Sequence, residues 1–173
     1  NEPVRFSCFA LALPKDIDPR YISAFFRGLA DCRKENAHED YKDDWVPCSD
    51  ILLERVIAHF PHSESQHALV RLLGCKSLTS DTKAFHLLLS LARHAKDPEP
   101  NKLNVWKQDK GRSAEAASAK SLMENSINCV RGQAYIAIAR LFSKNELLAN
   151  QNRGAVDQAI EDEHPAVKMS ALE

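Results

Sequence analysis

The sequence predicts an all-α chain built as an array of helix pairs, and three observations predict it. First, a short pattern returns. Pro3-Val4-Arg5-Phe6-Ser7-Cys8, Cys129-Val130-Arg131-Gly132-Gln133-Ala134 and Pro165-Ala166-Val167-Lys168-Met169-Ser170-Ala171 each set a Val before a cation, then a small residue further on. Val130 and Val167 stand 37 residues apart, a period that belongs to helical repeat arrays. Second, apolar residues recur at spacings of three and four through most of the chain. Third, Gly is scarce, 5 in 173 residues, while Leu, Ala and Ser dominate. Sheets need turn glycines and β-branched runs, and neither is supplied here.

The elements follow in order. A helix is expected from about Pro3 to Leu13, with Pro at a position the first turn tolerates, and Pro14 ends it. Asp18-Pro19 reads as a cap followed by an N1 proline. The helix it opens runs to about residue 34, with Ile22, Phe25, Phe26 and Leu29 on one face. Residues 31–48 are dense in charge and poor in apolar side chains, and read as a helix end and a solvated loop. Ser49-Asp50 starts a helix to about Phe60, stopped by Pro61. Ser63-Glu64-Ser65-Gln66 matches a reciprocal capping box and opens a helix to about Lys76. Thr79-Ser80-Asp81 caps the next, through Leu87, Leu88 and Leu91 to about Lys96.

Asp97-Pro98-Glu99-Pro100 breaks the chain, since proline disfavours helix at itself and just before. Strong helix formers resume at 113–120. One helix is expected from Ser126 to about Phe142, with Ile127, Val130, Ala134, Ile138 and Leu141 on one face. Ser143-Lys144-Asn145-Glu146 reads as another capping box. A helix over about 153–161 and a short one from 164 complete the chain. The expected organisation is helical repeats over 1–96, an irregular loop over 97–112 and further repeats over 113–173. The total is about nine or ten helices in antiparallel pairs. The last helix stops after about two turns, leaving Val167, Met169 and Leu172 without a covering helix. The expectation is a solenoid fragment truncated at both ends.

Composition excludes several classes. The formal charge is -1, from 23 basic and 24 acidic side chains, so the overall basic excess of a typical nucleic-acid binder is missing. No apolar run approaches the roughly 18 residues of a membrane span. Five cysteines, at 8, 32, 48, 75 and 129, are odd in number and have no C-x-x-C spacing. They form neither a disulfide framework nor a zinc ribbon, and a reducing, cytoplasmic setting is expected. Cys8, Cys75 and Cys129 read as small buried hydrophobes. The glycines stand singly at 28, 74, 111, 132 and 154, so no phosphate-cradling loop can be built from them. No nucleophile elbow is present either.

The pattern at Val130-Arg131, and at Asp162-Glu163-His164-Pro165-Ala166-Val167-Lys168-Met169-Ser170-Ala171-Leu172, resembles HEAT repeats. Their signature is an acidic residue before a Pro-containing turn, then Val and a cation opening a helix; Pro3-Val4-Arg5 looks like a third copy. The resemblance covers about 125–173 and the first thirteen residues, and departs between 14 and 112. It implies an irregular HEAT-like α-solenoid. Asn125-Ser126-Ile127-Asn128-Cys129-Val130-Arg131-Gly132 also resembles the C-terminal sensor regions of large bacterial signal-transducing NTPases.

The function expected is therefore a non-catalytic binding, sensor or scaffold segment of a larger cytoplasmic protein, with a protein partner and no cofactor. The alternatives are a HEAT-like nucleic-acid-binding module and a helical accessory region of an enzyme. Arg5, Arg131 and Lys168 are candidates to face the partner. The competing reading pairs each cation with an acid of the adjacent repeat, and Asp162 near Lys168 fits it. Tyr41, Trp45 and Trp106 lie in polar stretches, where aromatics serve either as binding anchors or as lids. His59, His62 and His67 cluster across a proline turn, but His59 and His62 leave it in different directions, and no metal site is expected. His86 and His94 read as surface residues. Asp40, Asp43 and Asp44 lack the glycine and the closing glutamate of a calcium loop, and read as solvated.

Overall fold

The computed structural model describes residues 12–35, 58–74, 82–100, 102–103 and 117–172. Eight α-helices and a closing 3₁₀ turn lie among these residues, and no strand does. Helix α1, Pro19–Glu35, starts as its sequence dictates. The Asp18 carboxylate accepts the Arg20 amide at 2.9 Å and also holds the Arg20 guanidinium. That pair draws the Asp18 carboxyl down to about 2. Ile22, Phe26 and Ala30, each four residues on, form the buried stripe.

Helix α2 is Ser63–Leu73, and here the expected capping box is not formed. The N-cap is His62, in extended backbone after Pro61, and makes no side-chain cap. The helix thus begins one residue early, and Ser63 falls inside the first turn. Gly74 closes α2 against the chain's centre, where an added Cβ would lie 3.1 Å from Ala137 Cβ. Helix α3, Thr82–His94, buries Ala84, Phe85, Leu87, Leu88, Leu91 and Ala92. The Asp97–Pro98 bond that follows is cis, and Pro98 is fully buried.

The helix expected over 126–142 is two helices. Helix α4, Ala119–Asn128, is capped by the Ser118 hydroxyl, which accepts the Ser121 amide at 3.2 Å. Cys129 is extended (φ -105°, ψ 153°), and α5 starts afresh at Val130 and runs to Phe142. The apolar spacing hides the break because Val130, Ala134, Ile138 and Leu141 all belong to α5 and are buried, whereas Ile127 on α4 is 43% exposed. Helix α6, Glu146–Gln151, is capped by Asn145, whose side chain accepts the Leu148 amide at 3.0 Å. Ser143, the expected cap, instead ends α5 and donates its hydroxyl to the Arg140 carbonyl. Helices α7, Gly154–Glu161, and α8, Pro165–Met169, lead into the 3₁₀ turn Ser170–Leu172.

Helix α5 is the centre. It packs against α2, α3, α4, α6, α7, α8 and the 3₁₀ turn, while α1 packs chiefly on α2. Its sequence Val-Arg-Gly-Gln-Ala-Tyr-Ile-Ala-Ile-Ala-Arg-Leu-Phe is apolar nearly all round, as a helix enclosed on most sides must be. Val167, expected to lie uncovered, is fully buried because α8 lies on both α4 and α5. Met169 is partly buried and Leu172 is 74% exposed.

Candidate functional site

The polar residues converge on the start of α5. Asp97 meets it twice: its Oδ2 accepts the Val130 amide at 2.7 Å and its carbonyl accepts the Arg131 amide at 3.1 Å. Both amides are first-turn donors with no partner inside the helix, and the acid faces the positive end of the helix dipole. The Asp-Pro break expected from the sequence is therefore also the N-terminal cap of a helix 33 residues later.

The Arg131 side chain reaches the residue that follows α7. Its Nη2 donates to Asp162 Oδ1 at 3.1 Å, with both side chains largely out of water (16% and 10% exposed). The same Asp162 oxygen accepts the His164 amide at 2.9 Å. Among the described residues Arg131 Nε, Asn125 Oδ1 and Ser126 Oγ are buried without a hydrogen-bond partner.

His164 is 2% exposed, and its partners fix its proton. The Lys102 carbonyl, 3.0 Å from Nε2, can only accept. The Ala166 amide, 3.1 Å from Nδ1, can only donate. The ring is thus the neutral form protonated on Nε2. Burial, with help from the Arg131 charge, lowers its pKa from the usual histidine value. One side chain caps α8 and also ties it to the segment after the cis proline.

Cys129 lies beneath this node, fully buried, its thiol donating to the Ser126 carbonyl at 3.6 Å. Burial pushes the thiol up to about 12, far from the range of a reactive thiolate. Gly132 lets α5 approach the end of α4: a Cβ there would stand 2.3 Å from the Ser126 carbonyl oxygen. Both ring nitrogens of His164 are engaged, so the node acts as a joint that ties α8 to Lys102, while Asp97 holds α5.

Of the residues singled out from sequence, Arg131 sits in this node and Lys168 is exposed on α8. Asp162 goes to Arg131, 31 residues away, rather than to nearby Lys168. Arg5, Tyr41, Trp45 and Trp106 lie outside the described residues. The three clustered histidines part company. His59 Nε2 meets the Leu13 carbonyl at 2.9 Å and His67 Nε2 meets the Ile127 carbonyl at 3.1 Å, while His62 is exposed. No group of three His, Cys, Asp or Glu gathers as metal ligands among the described residues. Sequence reading missed Asp97 and His164 as functional positions. The one local signal they share is the proline that directly follows each.

A second feature is apolar. Leu147 on α6, Val156 and Ile160 on α7, and Leu172 in the 3₁₀ turn are 68%, 40%, 55% and 74% exposed. Val156 and Ile160, four apart, share one face of α7. No described helix is long and apolar enough to cross a membrane. No protein family, curated protein or solved structure matches this chain.

Proposed function

We propose that the chain is a HEAT-like helical-repeat segment that works as a binding or scaffold module for a protein partner. The observation that carries this reading is that two copies of the recurring text take the same physical role. Cys129-Val130 and Ala166-Val167 are all fully buried at a helix start, and each pair is followed by a cation. Two segments 37 residues apart that bury the same positions against a shared helix are what stacked repeats require. The ion pair between Arg131 and Asp162 supports it too, because it joins one copy to the turn that opens the next. The exposed apolar pair Val156 and Ile160 on one face of α7 supports a protein rather than a polyanion as the occupant of that face.

The test is site-specific photocrosslinking from position 160 in cells, in the full polypeptide, with Val156→Asp as the competitor. The expected result is a crosslink to a distinct polypeptide that Val156→Asp abolishes while the circular dichroism stays helical. Crosslinks confined to the same polypeptide would assign the face to internal packing and overturn the partner. Crosslinks to nucleic acid would replace the protein partner with that class.

A further inference from the structure

The node at the start of α5 carries one consequence beyond binding. His164 holds two elements through one ring: Nε2 donates to the Lys102 carbonyl whatever the charge, whereas the hold on the Ala166 amide requires Nδ1 to stay without a proton. We propose that His164 is a pH-sensitive latch on the first turn of α8, closed when the ring is neutral and opened when it gains a second proton on Nδ1. The added proton must go on Nδ1, which now accepts the Ala166 amide. Two donors would then face each other at 3.1 Å, and the N-cap of α8 would be lost. Asp162 Oδ1 already takes Arg131 and the His164 amide.

The charges around the ring set the balance. Arg131 on α5 opposes protonation, while Asp162, before α8, and Asp97, after α3, favour it. Burial outweighs the two acids and lowers the ring's pKa. Lys120 and Glu124 on α4, and Asp157 and Glu161 on α7, are exposed in solvent, and the Lys102 amine is turned to Glu99. The sign is fixed. The opened state titrates near the ordinary histidine value of 6.5 and the closed state lower, so the opened state binds more protons between the two. The latch is therefore fully closed above about pH 6.5 and weakens as pH falls below it.

The experiment is nuclear magnetic resonance on the whole chain, reading the His164 ring nitrogens and the hydrogen exchange of the Ala166 amide. At pH 7 the ring is expected as the Nε2-protonated neutral form. Between pH 7 and pH 5 the Ala166 protection factor, corrected for intrinsic exchange, is expected to fall by up to about 25-fold. His164→Asn keeps a capping oxygen but cannot titrate, so Ala166 protection in that variant is expected to lose its pH dependence. His67→Gln removes the other described histidine whose pKa burial lowers and is expected to leave the effect in place. A ring protonated on Nδ1 at pH 7, or Ala166 protection that stays level to pH 5, overturns the latch. The wild-type readings stand even where a variant fails to fold.

Discussion

Gly132 shows most directly how a single atom sets this fold. Its hydrogen faces the Ser126 carbonyl oxygen, and the backbone of two helices meets there with nothing flexible to give way. Gly132→Ala is expected to destabilise by at least about 1–3 kcal/mol, the usual penalty of overpacking. Denaturant melts of the two proteins measure it; an unchanged midpoint would mean that α4 and α5 can part without loss. Cys129 gives a second prediction at this scale. With its thiol near 12 and fully buried, it is expected to resist a thiol reagent at pH 8 in the folded protein and to react once denaturant is added. Of these residues, the cysteine's burial was legible in the sequence, because apolar neighbours surround it. The need for glycine was not, since the contact that demands it is made by a carbonyl oxygen, which any residue supplies.

Among the elements, boundaries separate what the sequence states from what it hides. Helix α1 begins where Asp18-Pro19 says it does, because cap and proline act within one turn. The start of α5 is hidden because its cap, Asp97, comes from 33 residues away. A cap from so far leaves no local mark, and the apolar spacing runs on through Cys129 regardless. The capping boxes at 63 and 143 went astray for the opposite reason: the residues fit, but His62 and Asn145 set the start. Asp97→Ala is expected to cost about 1–2 kcal/mol, through loss of the cap and of a charge at the helix dipole. Asp97→Asn keeps an acceptor for the Val130 amide and is expected to cost less. Equilibrium unfolding of both variants tests the order, and equal losses would leave only the backbone carbonyl of Asp97 holding α5.

Across the whole molecule, α5 ties the described helices into one unit, so its apolar side chains should matter more than those of any peripheral helix. Ile138→Ala, at 2% exposure, is expected to lose about 2–5 kcal/mol. Ile160→Ala, at 55%, is expected to stay within about 0.5 kcal/mol. Thermal melts distinguish them. Stability should also fall with pH. His67 and His164 both have pKa values lowered chiefly by burial, so the unfolded chain binds protons that the folded chain refuses. Each histidine therefore removes up to about 1.4 kcal/mol per pH unit below about pH 6.5, and nothing above it. A stability profile flat from pH 7 to 5 would contradict both. The helical class was legible from composition and spacing alone. The centrality of α5 was only partly so: its even apolar coat was there to read, but its neighbours lie far apart in sequence.

Asp97 grips α5 directly, and His164 grips the Lys102 carbonyl directly. From Asp162 to Ala166 the register is fixed, since Asp162, His164 and Ala166 each make a contact that a shift of one residue would break. In evolutionary terms this stretch should appear as a ruler of fixed length, intolerant of an inserted or deleted residue.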